Sequence, residues 1–192
     1  MSSANVEGLG DLSLGLRALA WMGVQAVQGI RELPGPRHDP RILEYSVHCR
    51  RGGVFLGVDS EGRPIWSGGK PLKLSTDEEP WCAATQSSSL LASLRPREVP
   101  PHGLRVSVRE DCEDARGTGA LRVVGDGYEP RPGDLAILGR VGENPLLGGR
   151  GHVHRLVQLD GLRYLGIGGN EHNEIQVAWH PRARVLAWIV YP

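Results

Sequence analysis

Net charge is missing from this sequence: lysine plus arginine number 22, aspartate plus glutamate number 22, and the formal charge is zero. Without a basic excess the chain lacks the electrostatic footprint of a nucleic-acid binder, so no nucleic-acid partner is expected. Long apolar runs are missing too. None approaches the ~20 residues that cross a bilayer, so no membrane span is expected. Residues 1 to 7 carry no basic region ahead of the first apolar stretch, which argues against a secretory signal. The three cysteines, Cys49, Cys82 and Cys112, cannot all pair, and their spacing fits neither a disulfide framework nor a zinc knuckle. At least one thiol stays free, and synthesis in a reducing cytoplasm is the simpler inference. Phenylalanine occurs once, against 27 glycines and 14 prolines, a usage that favours many turns between short elements over a helical bundle. At 192 residues the chain is long enough for one domain with a sizeable core.

What is present falls into two halves. Residues 1–10 read as a flexible terminus, and residues 11–192 as a single domain. Asp11 is placed to cap a helix to about Gln28, with Leu12, Leu16, Leu19, Gly23 and Val27 at helical spacing and Gly29 as its stop. After the turn at Pro34-Gly35-Pro36, Pro40 opens a shorter helix through Ser46. Residues 51–72 alternate as a strand does at Val54, Leu56 and Val58, turn at Asp59-Ser60-Glu61-Gly62, and resume at Pro64-Ile65-Trp66. This predicts a β-hairpin insertion. A helix over residues 81–94 follows. Ser107 with Glu110 three residues on has the form of a capping box for another helix to about Arg116. From Arg131 short apolar segments follow one another at 135–138, 152–159, 163–167, 175–179 and 185–191, with tight connections. They predict an antiparallel meander. Helices first and a sheet afterwards make an α+β domain.

The chemistry gathers on the helix that begins at Pro80-Trp81-Cys82. Proline is tolerated at the first helical position, and a thiol in the first turn feels the positive end of the helix dipole, which favours thiolate. A cysteine nucleophile needs a base within hydrogen-bond reach and a third group to fix the imidazole. His152, after Arg150-Gly151 at a strand start, supplies the base. Asn170, ending the next strand after Gly168-Gly169, supplies the orienting group if the two strands are antiparallel neighbours. Glu171, His172 and Asn173 compete for that third role. Cys112 lies between Asp111 and Glu113, whose carboxylates oppose a thiolate, and is set aside. Asp77, Glu78 and Glu79 read as solvated loop acids. Trp66 and Trp81 suit a groove wall or the core. His152 and His154 share one strand face, and His102 or Cys112 could complete a zinc site. With no His-Glu-x-x-His helix present, however, no metal or cofactor is expected.

Several motifs resemble one family in the right order: Pro80-Trp81-Cys82-Ala83-Ala84, Arg131-Pro132-Gly133-Asp134, Gly149-Arg150-Gly151-His152-Val153 and Leu165-Gly166-Ile167-Gly168-Gly169-Asn170. Together with Ile30-Arg31-Glu32-Leu33-Pro34-Gly35-Pro36 upstream and Arg184-Val185-Leu186-Ala187-Trp188 downstream, they are similar to the CHAP-type (NlpC/P60-like) peptidoglycan hydrolases of phage and bacterial lytic systems. The resemblance runs over roughly residues 20 to 192. It implies a papain-like fold and a cysteine amidase or endopeptidase with Cys82 as nucleophile, His152 as base and Asn170 as orienter. The polar Thr85-Gln86-Ser87-Ser88-Ser89 run, and His154-Arg155 after Val153, depart from the family pattern.

The expected activity is therefore hydrolysis of amide bonds in peptidoglycan peptides through a thioester. The alternatives are a cysteine protease or amidase acting on proteins inside the cell, and an inactive binding module of the same fold. Delivery by a phage lysis system or a secretion machine would carry such an enzyme to its substrate. An immunity or inhibitor protein is then the expected partner in the producing cell.

Overall fold

The structure, a computed structural model, describes residues 12–33, 38–72, 74, 81–96 and 98–191. The expected flexible terminus, the Asp11 cap, the Pro34-Gly35-Pro36 turn, the acids Asp77, Glu78 and Glu79 and the opening Pro80 lie outside these residues.

The first helix, α1 (Leu14–Val27), is capped by Ser13, whose hydroxyl accepts from the Leu16 amide, and it stops where Gly29 takes a left-handed φ of 64°. Its buried face runs through Leu14, Gly15, Ala18 and Met22, whereas Val27, expected on the inner stripe, is 90% exposed. Close approach sets the rotation. A Cβ on Gly15 would stand 2.9 Å from the Gly133 carbonyl oxygen, so the smallest residues of α1 turn toward the sheet. The short helix α2 (Pro40–Glu44) has Asp39 as its cap, with Oδ1 accepting from the Arg41 amide at 2.9 Å.

The hairpin forms as expected: β2 (Val54–Val58) pairs antiparallel with β3 (Pro64–Ser67). At its base β1 (Arg50–Arg51) pairs with β4 (Lys70–Pro71). Trp66 packs edge-on to Phe55, with the Arg105 guanidinium over its ring at 5.3 Å.

Helix α3 (Cys82–Leu91) is almost wholly buried between α1 and the sheet. Helix α4 (Val108–Gly117) follows, and its Ser107 cap makes no side-chain capping bond, so the expected capping box does not form. The main sheet has six antiparallel strands in the order β5-β10-β6-β7-β8-β9, comprising β5 (Leu121–Val123), β6 (Leu135–Gly139), β7 (Gly151–Asp160), β8 (Arg163–Glu171), β9 (Glu174–Pro181) and β10 (Val185–Ile189). Strands β6 to β9 are the expected meander. β10 returns to the far side of β6, and β5 is an edge strand that the sequence pattern did not announce. One face of the sheet, with Leu135, Ile137, Val153, Ala187 and Ile189, packs on Ala83 and Val108 from the helices. The opposite face carries Ala136, Leu138, Leu156, Tyr164 and Trp188. Mixed helices and strands of this kind make an α+β chain. Among the described residues no helix is long and apolar enough to cross a membrane.

The polar run on α3 belongs to the interior. Arg155 on β7 is fully buried and donates to Gln86 Oε1 (3.1 Å), Ser89 Oγ (3.3 Å) and the Gly133 carbonyl (2.8 Å). Ser87 donates to the Arg105 carbonyl at 2.7 Å and Ser88 to the Tyr45 carbonyl at 2.8 Å. Gln86 and Ser89 of the polar run thus answer Arg155. A buried guanidinium requires acceptors, and α3 supplies them.

Candidate active site

Three elements converge on one point: the first residue of α3, the start of β7 and the end of β8. Trp81 is fully buried beside them, its Nε1 donating to Glu32 Oε1 at 2.9 Å, which makes it core and not groove wall. The helix can sit this close because β8 presents glycine. A Cβ on Gly169 would meet Trp81 Cζ3 at 2.7 Å, and one on Gly168 would stand 2.5 Å from His154 Cδ2. Gly169 is thus a packing device for the cysteine helix, and Gly168 makes room for the His154 ring.

The His152 ring and the Ala83 amide lie close enough to Cys82 to act on its thiol. Burial pushes the thiol up, but the charge and hydrogen bond of His152, with Arg140 and the Ala83 amide, outweigh it and hold the thiol below its ordinary range. On His152 burial works downward. The Cys82 thiolate and the Glu171 carboxylate together overcome it, and the imidazole is pushed up to about 9. Both shifts favour the thiolate–imidazolium form of the pair over the neutral one. The other thiols differ: burial pushes both Cys49 and Cys112 up to about 12.

The third group is a correction to the sequence expectation. His152 Nε2 lies 3.0 Å from Glu171 Oε2, and Asn170 is beside the ring's cavity without being its hydrogen-bond partner. The register of β7 and β8 pairs Arg155 with Ile167. Continued without a break, it would set Asn170 opposite His152, as simple strand alternation expects. The strand does break. Its pairing with β9 shifts between Gly168 and Glu171, and Asn170 adopts φ 58°, a left-handed conformation that asparagine tolerates better than most residues. The extra residue carries Glu171 to the place Asn170 would have held. His172 and Asn173, the other candidates, have φ of 52° and 67° and form the two-residue turn into β9. With Nε2 engaged by Glu171, Nδ1 is the nitrogen left for the thiol.

Glu171 serves a second histidine. His154 Nε2 lies 2.7 Å from the same Oε2, and its Nδ1 lies 2.8 Å from Tyr164 Oη. Hydrogen bonds from the two rings hold the Glu171 carboxyl well below the usual carboxylate range. Burial, reinforced by the charges of His152 and His180, lowers His154 to about 4 against the raising effect of Glu171, so that ring is neutral. A neutral ring that donates from Nε2 must accept at Nδ1, and Tyr164 donates to it. The chain of contacts therefore runs Cys82, His152, Glu171, His154, Tyr164. His180, paired in register with Tyr164, stacks on His154 with ring centroids 4.2 Å apart. A cavity of about 450 Å³ opens on the Glu171 side of His152, lined among others by Arg140, Arg150, His154, Asn170, His180 and Arg184. Tyr164 and His180 escape sequence reasoning, because only the β8–β9 register brings them to the site.

The zinc partners considered with His152 and His154 do not join them. His102 is buried elsewhere, between Asp111 Oδ1 (2.9 Å) and Tyr191 Oη (2.6 Å), and Cys112 lies in the helix-side core. The group whose donor atoms do come together is His152, His154 and Glu171. In comparisons with known proteins, no family model, curated protein or solved structure matches this chain.

Proposed function

We propose that the protein is a cysteine hydrolase of papain-like type that cleaves amide bonds, with Cys82 as nucleophile, His152 as acid–base group and Glu171 as the residue that orients the imidazole. One observation carries this reading: a thiol at the first residue of a buried helix contacts an imidazole whose other nitrogen is held by a carboxylate. Cys82 attacks the amide carbonyl. His152 hands its proton to the leaving amine, and the thioester is resolved by a water that His152 deprotonates. The first amides of α3 are oriented to meet the oxyanion at the positive end of the helix dipole.

The substrate class rests on the motif resemblance to CHAP-type hydrolases, which favours peptide bonds of peptidoglycan. The polar Thr85-Gln86-Ser87-Ser88-Ser89 run gives no ground for a protein substrate instead, since Thr85 donates to the Trp81 carbonyl and the rest of the run satisfies buried partners. Purified sacculi incubated with the protein should release new muropeptides, and Cys82→Ala should release none. Unchanged muropeptides with the wild type would remove the peptidoglycan assignment. Equal release by Cys82→Ala would remove the cysteine mechanism.

A further inference from the structure

We propose that His152, His154 and Glu171 form a binding site for a divalent transition metal, Zn²⁺, whose occupation switches the Cys82 chemistry off. Two imidazole nitrogens and a carboxylate oxygen lie within 4.8 Å of one another, a donor set suited to zinc. Both nitrogens already face one oxygen, at 3.0 and 2.7 Å. Ligands at ordinary zinc distances of about 2.0–2.2 Å stand roughly 3.3 Å apart in a tetrahedron, so the two nitrogen–oxygen separations must open by roughly 0.3 and 0.6 Å to admit the ion.

A second, independent observation points the same way. His180 lines the same cavity and is only 8% exposed, yet its Nε2 is buried without a hydrogen-bond partner. Buried polar atoms are rarely left so; this one stands outside the three-donor group, but it leaves the cavity beside that group short of a polar partner. The outer shell is also present. With a metal on Nε2 the His154 proton moves to Nδ1, where Tyr164 Oη at 2.8 Å can accept it. Arg140, Arg150 and Arg184 share the cavity wall and oppose a cation. Arg150 is paired with Glu143 at 2.6 Å, and the remaining positive charge favours an anion as any further ligand.

The inhibitory consequence rests on the cysteine-hydrolase reading. An imidazole metallated at Nε2 keeps a single proton on Nδ1, and releasing it to a leaving amine would leave an imidazolate. Glu171, moved to the metal, no longer orients the ring.

Calorimetric titration of the reduced full chain with Zn²⁺ alone tests the site without any substrate. Wild type and Cys82→Ala should each bind one equivalent, with dissociation constants within about threefold of each other. His154→Gln and the near-isosteric Glu171→Gln should weaken binding more than about 100-fold, beyond the loss typical of an outer-shell partner. Circular dichroism shows whether each variant is folded. Loss of binding in Cys82→Ala would put the metal on the thiol and overturn the proposal, as would wild-type affinity in His154→Gln or Glu171→Gln. Chelator-reversible loss of wild-type hydrolysis at saturating Zn²⁺ is the expected activity result, and full activity there overturns the switch. Should no hydrolysis be found at all, the hydrolase reading fails while the calorimetry still decides the site.

Discussion

One oxygen of Glu171 lies 3.0 Å from Nε2 of His152 and 2.7 Å from Nε2 of His154, so a single carboxylate holds two imidazoles of the same strand. Because His154 is itself fixed by Tyr164 and stacked against His180, the carboxylate that orients His152 cannot swing away without breaking a buried network. The position of that carboxylate depends on the left-handed Asn170 just before it.

This division of labour separates the two residues experimentally. Glu171→Gln keeps the size but removes the charge that supports the imidazolium. It should lower kcat by up to about 10⁴-fold, the loss seen when the orienting acid of a triad becomes its amide. Asn170→Gly preserves the left-handed backbone and should keep kcat within about threefold of wild type. A loss in Asn170→Gly equal to that in Glu171→Gln would return the orienting role to the amide. The assay is run with chelator present, so that loss of a metal does not enter.

Thiol reactivity should follow the opposed environments of the cysteines. Burial raises all three, but His152 reverses the outcome at Cys82 alone. In the folded, metal-free protein an alkylating reagent near neutral pH should modify Cys82 first, by mass spectrometry of the digested chain, while Cys49 and Cys112 react only after unfolding. The pH profile has a definite sign. His152 is raised, so its protonated form persists through neutrality and is lost as pH climbs through about 9, and hydrolysis should decline on that limb. The acid limb follows protonation of the depressed Cys82 thiolate. A profile whose alkaline limb is absent to pH 10 would contradict the raised imidazole.

The helix beginning at Cys82, the strand beginning at Gly151-His152 and the meander were legible because each has a local signal: a proline and tryptophan ahead of a helix, a Gly-His strand start, and alternation between tight turns. Glu171 could be named only among several candidates. Strand alternation favours residue 170, and the bulge that moves the role by one position depends on how β8 meets β9. The rotation of α1 was misread for a related reason: a hydrophobic stripe does not register that glycine and alanine are chosen for close approach. β5 has three residues, too few for a periodic signal. The polar face of α3 has a partner in Arg155, a residue of a distant strand that no helical pattern announces.

Gly169 should tolerate no side chain. An added Cβ falls 2.7 Å from the Trp81 ring and against Thr85, both on the first turns of α3. Gly169→Ala should therefore cost about 1–3 kcal/mol as an overpacking substitution. Because it pushes on the turn that carries Cys82, it should also slow alkylation of that thiol. Chemical denaturation with wild-type stability would show that the helix shifts freely, and the close approach would then not matter.

Arg155 tests whether the polar interior of α3 is structural. Its charge is fully buried, which lowers its pKa, and among the described residues no carboxylate lies within ion-pair distance. Replacing it with methionine relieves the desolvation of the guanidinium but strips the donor from Gln86, Ser89 and the Gly133 carbonyl. Unsatisfied buried groups cost about 1–3 kcal/mol each, so three acceptors outweigh the relief and Arg155→Met should be destabilised by about 2 kcal/mol or more. Gln86→Leu in the same chain removes one orphan, so the double variant should be less destabilised than the sum of the singles by at least about 0.5 kcal/mol. Urea midpoints at constant m-value read both quantities. Additive losses would mean that Gln86 and Arg155 do not support each other, and the serine-rich face of α3 would then need another explanation.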